Sequence, residues 1–302
     1  MLPQIRLEPI TPEFVYQTLS EVYDWGLTDL NVPSIHKQTQ GKGVKVCIID
    51  SGLSEHFEVE QNIVDSKNFT DSRTVKDKFG HSTFICGIIA AQKNDEGIIG
   101  VAPKASLYLA KAIDDGGGGN PVAMVNSFKW AINQGVDIIS VSAGSFFDFK
   151  PLHNIIRTAY KKNIIVLAAT GNSAKRHFDV AFPARYPEVI GVAAYNKRHQ
   201  AAKFSSRGTN VFCAMPGVDM YSCWLNNSFC KSQGTSYSCP VLAGVCTLIL
   251  AQHRKVDKPK TPCETPRQMM EHLQKYSRSL SELSKKAVGF GTVDLEKMFK
   301  ET

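Results

Sequence analysis

A chain of 302 residues with 43% hydrophobic and 21% charged residues is long enough to bury one large core, and too ordinary in composition for a fibrous or disorder-dominated protein. The formal charge of +7 is spread along the chain with no recognisable nucleic-acid module, so nucleic-acid binding is not expected. The start carries no secretory signal pattern and no uncharged stretch of spanning length stands out, which predicts a cytoplasmic protein with no membrane partner. Eight cysteines at irregular spacing, without CxxC pairs, fit reduced, buried thiols better than a disulfide framework.

In chain order, residues 1–24 read as an N-terminal extension and 25–302 as one folded domain. Short apolar runs bounded by polar turns predict strands at Val44–Ile49, Leu107–Ala112, Ile138–Val141, Ile164–Ala169 and Val189–Ala194. Helical spacing marks Val122–Asn133 and Leu152–Lys161, and Ser236–His253 reads as a long, mostly apolar helix through the core. Strands alternating with helices imply an α/β fold, a three-layer sandwich in which a mainly parallel sheet carries helices on both faces.

Four segments carry chemistry. Asp50 closes the first strand, His81 and Ser236 each open a helix, and Asn172 follows the Ile164–Ala169 strand. Ligands of open α/β sheets sit beyond the carboxyl ends of strands, so these segments fall where a site is expected. A serine hydroxyl becomes a nucleophile when a histidine takes its proton, a carboxylate fixes that histidine, and preset donors receive the oxyanion. Taken singly, each residue has a plainer role: Ser236 as a helix cap, His81 as a polar helix start, Asp50 and Asn172 as turn residues. Together they predict Asp50, His81 and Ser236 as a triad, with Asn172 as oxyanion donor.

The motifs around Asp50, Gly80-His81-Ser, Thr170-Gly-Asn172 and Gly234-Thr-Ser236, in the order Asp, His, Ser, resemble the subtilisin-like serine proteases. Spacings of 31, 91 and 64 residues between Asp50, His81, Asn172 and Ser236 are similar to that family's, and the resemblance runs from about Val44 to Asp294. It implies a subtilisin-like fold and a serine endopeptidase acting on polypeptides in extended conformation. By the same resemblance, Gly117, Gly118 and Gly119, and Ser142, Ala143 and Gly144, correspond to two strands that pair with substrate. A flexible loop is the plainer account of the glycine run. A regulatory partner or oligomer is left unspecified.

The loop Gln92 to Ile98 resembles the family's calcium loop, which implies a structural calcium held by Glu58, Gln92, Asn94, Glu96 and Ile98; a solvated acidic turn is the alternative. Residues Ile5 to Ile10 resemble the leader of intracellular subtilisins, which lies across the cleft with a proline at the scissile position. That implies a zymogen in which Pro9 blocks the site, although Glu8 stands where the leader is apolar; an extension that merely packs on the domain is the alternative. Departures are Ser82 for glycine, Phe84 for histidine, and Tyr237-Ser-Cys239 for Met-Ala-Ala. They keep two other functions in view: a peptide-processing acyl transferase, and a catalytically weak protease-like binding protein.

Overall fold

The computed structural model describes residues 5–7, 12–15, 20–174, 180–256, 262–280 and 284–301. Its centre is a seven-stranded sheet in the order Cys213–Pro216, Ile190–Tyr195, Ile165–Ala169, Ile138–Val141, Lys45–Asp50, Ser106–Lys111, Ile63–Asn68. Every neighbouring pair in it is parallel. Each strand predicted from an apolar run is present within one residue at either end, as are the three predicted helices within two.

Alternation along the strands explains the three layers, because successive side chains point to opposite faces. Val46 and Ile48 join one core with the helices His81–Ala90 and Thr235–His253. Cys47 and Ile49 join the other, with Pro121–Gln134 and Lys150–Lys161. A sheet buried on both faces needs apolar residues at every position, which is why these strands read as continuous runs.

Thr235–His253 corrects one expectation. It is 19 residues long without a charged side chain and meets the length and composition of a membrane span. Every residue in it except Ser236 and Gln252 is buried, because it packs on the sheet and on the His81–Ala90 helix. Its apolarity answers to a protein core, and it leaves Ser236 as the residue of its first turn that reaches solvent.

Outside the main sheet, Met220–Trp224 and Ser228–Ser232 form an antiparallel hairpin that leads directly into the Ser236 helix. The N-terminal extension adds strands at three places, one of them Val22–Tyr23, which pairs parallel with Ile98–Ile99. Glu13–Val15 pairs with Ser228–Ser232, and Ile5–Arg6 pairs antiparallel with Gly118–Gly119. All eight cysteines are buried and free, as the spacing argument expected.

Candidate active site

Asp50 ends the first central strand, and the chain leaves the sheet at Ser51-Gly52, where Gly52 has φ of 133° and the backbone of Val75 and Asp77 crosses so closely that a Cβ has no room. The Asp50 carboxylate is fully buried. Its Oδ1 accepts from the Ser51 N–H at 2.7 Å and faces His81 Nδ1 at 2.8 Å. That bond places the proton of neutral His81 on Nδ1 and leaves Nε2 as the basic nitrogen. Asp50 Oδ2 is buried without a partner among the described residues.

His81 is held from behind by a group that sequence reasoning missed. The buried Asp77 carboxylate accepts from the backbone N–H groups of Phe79, Gly80 and Thr83, from the Thr83 hydroxyl and from the Ser51 hydroxyl. An acid among the unpaired N–H groups of a helix start is favourably placed. The Ser51 hydroxyl also accepts from the Ser82 N–H at 3.0 Å, so the Asp50 turn and the His81 helix are tied into one unit. Lys111, buried, donates from the neighbouring strand to the carbonyls of Ser51 and Lys76 and pairs with Asp115 at 2.9 Å. The signal for Asp77 in the sequence was an acid four residues before a helix-opening histidine.

Ser236 stands at the start of its helix. Its hydroxyl donates to the Ser142 carbonyl at 3.1 Å, and the Ser142 hydroxyl donates to the Ser236 carbonyl at 2.9 Å. This clasp ties the nucleophile's helix to the segment Ser142 to Gly144, and no hydrogen bond joins Ser236 Oγ to the His81 ring in this arrangement. Rotation about χ1 is the one side-chain motion that takes the serine hydroxyl off that carbonyl.

Asn172 is oriented by Thr235, a second residue missed in the sequence. Both the N–H and the hydroxyl of Thr235 donate to Asn172 Oδ1, at 3.0 and 2.9 Å, while the Thr235 hydroxyl accepts from the Gly171 N–H at 3.1 Å. With the carbonyl end pinned, the amide Nδ2 is the end left without a hydrogen bond among the described residues. A Cβ built on Gly234 would lie 3.4 Å from Asn172 Nδ2 and 3.7 Å from the Ser236 backbone N. The Asn172 amide nitrogen and the Ser236 backbone nitrogen thus both lie close to Gly234, and a pair of N–H donors is what an oxyanion hole is built from.

The two expected substrate edges lie on either side of the leader strand. Ile5 and Arg6 pair with Gly119 and Gly118, the Leu7 N–H donates to the Gly117 carbonyl at 3.0 Å, and Arg6 bridges to Gly144. Thus Gly117 to Gly119 and Gly144 do hold an extended chain between them, and that chain is the protein's own. Gly117, at φ of 79°, packs on the Phe79 ring so tightly that a side chain is excluded. Ile5, 2% exposed, lines an apolar pocket together with Met124, Phe147, Leu152 and Phe182, which no sequence pattern had marked. Glu8, Pro9 and Ile10 lie outside the described residues.

The residues expected to hold calcium close on one another instead. Glu58 Oε1 accepts from the Ile98 N–H at 3.0 Å and Oε2 from Asn94 Nδ2 at 3.1 Å, while Asn94 Oδ1 accepts from the Glu96 N–H at 3.0 Å. The Glu58 carboxylate reaches across Gly97 into the loop, and burial raises its pKa to about 7 against the lowering effect of those donors. Glu96 points to solvent, and Gln92 contributes its N–H to the Glu58 carbonyl. Calcium takes six to eight oxygen ligands; Glu58 and Asn94 as arranged spend their oxygens on N–H donors and do not fit that cage.

Comparison with known proteins matches residues 41–291 to the subtilase family model. Subtilisin E of Bacillus subtilis (strain 168) is 36% identical over 235 residues, covering 76% of this chain and 61% of the relative. The minor extracellular protease Epr of the same organism is 34% identical over 253 residues, 83% of this chain and 38% of the relative. An intracellular serine protease of Paenibacillus polymyxa is 35% identical over 233 residues, 74% of this chain and 72% of the relative. The chain therefore spans less than two thirds of the first two relatives' lengths.

Proposed function

Since the chain belongs to the subtilase family, we propose that it is a serine endopeptidase that hydrolyses extended polypeptides through an acyl-enzyme on Ser236. The observation that carries the reading is the convergence of the Asp50–His81 bond, the solvent-reaching Ser236 and the free amide of Asn172 on one end of the sheet. Ser236 Oγ leaves the Ser142 carbonyl, gives its proton to His81 Nε2 and attacks the substrate carbonyl carbon. Asn172 Nδ2 and the Ser236 N–H receive the oxyanion, and Asp50 stabilises the imidazolium. His81 then returns the proton to the leaving amine. Water, deprotonated by the same nitrogen, cleaves the ester and releases the second product. No step of this scheme passes through a metal.

The leader supports a self-inhibited form. Ile5 to Leu7 take the backbone partners that a substrate strand would use, so a substrate competes with a tethered segment at high effective concentration. The eight buried, free cysteines favour work in a reducing compartment, as in the intracellular relative.

The test is labelling by a fluorophosphonate probe and cleavage of unfolded casein by the full chain, by Ser236→Ala and by the double variant Ile5→Asp/Leu7→Asp. Burying a Leu or Ile side chain contributes about 1.5–3 kcal/mol, so the double variant should label and cleave at least about tenfold faster than wild type. Ser236→Ala should do neither. Labelling absent from every form would overturn the enzymatic reading; equal rates in wild type and double variant would overturn self-inhibition alone.

A further inference from the structure

Tyr237 has no part in the acyl-transfer scheme, yet it follows the nucleophile and turns inward to 2% exposure. Its ring centroid lies 5.7 Å from that of His81 with the planes 42° apart, and 4.3 Å from Phe84. Phe84 in turn meets Trp224 edge to face at 6.5 Å. Trp224 lies against the first turn of the His81 helix, where a Cβ on Gly80 would be 2.6 Å from the indole. The Tyr237 hydroxyl accepts from Ser232 at 3.2 Å, which anchors the far end of the ring to the hairpin strand. An aromatic column thus runs beside the His81 helix, with its top ring against the imidazole.

We propose that Tyr237 is a positioning residue for His81: its ring keeps the imidazole seated on Asp50 while Ser236 changes rotamer, and it faces the imidazolium that forms during acyl transfer. Asp50 constrains the ring by one hydrogen bond, which by itself leaves rotation about the N–H···O axis open, so the position of the imidazole depends on what packs around it. A flat, buried, anchored ring on another side removes that freedom without taking the basic nitrogen, because it accepts no proton from it. A cation within about 6 Å of an aromatic centroid is also attracted to its face. Phe84, in place of the histidine usual in the family, belongs to the same device: an apolar ring packs under Tyr237 without a competing charge.

The inference rests on His81 being the catalytic base, so its test needs a readout that survives loss of turnover. Among the described residues, the charged groups around the ring are Asp50 by direct bond, with Asp77 and Lys111 behind it through Ser51, and all three stay in place in the variants. The His81 imidazole is titrated by NMR with isotope-labelled histidine, and the pH profile of kcat/KM is taken in parallel. Tyr237→Leu, which removes the ring, should lower the His81 pKa by about 0.5 unit and kcat by about tenfold with KM held within about twofold, the scale of losing a desolvated cation–π contact and imidazole alignment. Tyr237→Phe, which keeps the ring, should stay near wild type in both readouts. If Tyr237→Leu does not fold, Phe84→Leu loosens the same column and should move both quantities in the same direction by a smaller amount. An unchanged or raised His81 pKa in the leucine variants, or a Tyr237→Phe variant as impaired as Tyr237→Leu, overturns the proposal. A lowered His81 pKa in a protein that turns over no peptide would retain the positioning role and instead reject the endopeptidase reading.

Discussion

Asn172 and Asn94 are two loop asparagines that spend their side chains in opposite ways. Asn172 has its carbonyl end held twice by Thr235 and its amide nitrogen left over beside Ser236. Asn94 uses both ends, giving its nitrogen to Glu58 and taking the Glu96 N–H on its oxygen. The first loop therefore has a donor to offer a ligand, and the second has closed its own bonds. A motif marks where a polar group is; whether it can act on anything depends on which of its hydrogen-bonding positions the fold has already filled.

The contrast is sharpest at the oxyanion. Asn172→Ala should lower kcat by about 10²–10³ with little change in KM, the scale known from subtilisin, the family's reference case; a steady-state assay of a peptide substrate measures it, and a KM-only effect would break the comparison. Thr235→Val removes one of the two bonds that pin Asn172 while keeping the backbone one, so kcat should fall by about fivefold, the cost of losing one hydrogen bond of about 1 kcal/mol in the positioning of the donor. The same assay reads it, and an effect equal to that of Asn172→Ala would mean that the amide is not merely oriented by Thr235.

At the other loop, changes should reach stability and leave kcat alone. Asn94→Ala leaves Glu58 Oε2 buried without a donor, which costs about 1–3 kcal/mol of unfolding free energy, measurable by urea denaturation. Smallest of all should be the effect of the ion itself. Adding calcium or a chelator should shift Tm by no more than about 2 °C, since a ligand that gains no cage adds little linkage free energy. A rise of many degrees would show that Glu58 and Asn94 reopen around calcium and that the loop is not closed.

Much of the fold was legible because a sheet buried on both faces leaves nearly continuous apolar runs, as at Val46 to Ile49 within Lys45–Asp50 and, broken only by Ser140, at Ile138–Val141. The strand Ile63–Asn68 was not, because it lies on the sheet edge and alternates polar residues toward solvent. The hairpin ahead of Ser236 left a signal that went unused: Asn226 and Asn227 sit at φ of 59° and 54°, the left-handed turn geometry asparagine tolerates. At the site, Asp50, His81, Asn172 and Ser236 were legible because each stands in a short local motif, and the structure gathers all four at one end of the sheet. Asp77 and Thr235 act through hydrogen bonds made between segments distant in sequence, and a polar residue in a loop gives no hint of the partner that folding brings to it. At the loop from Gln92 to Ile98, the meeting of Glu58 with Asn94 was legible, and the N–H donors that their oxygens face were not.

The most direct measurement is to mix the full chain with an activated peptide ester, quench in acid within seconds, and locate any covalent adduct by intact mass and peptide mapping. The account predicts one acyl group, on the peptide that contains Ser236, accumulating before hydrolysis and absent from Ser236→Ala. Turnover of the ester without an adduct at Ser236, or turnover that persists in Ser236→Ala, would contradict it.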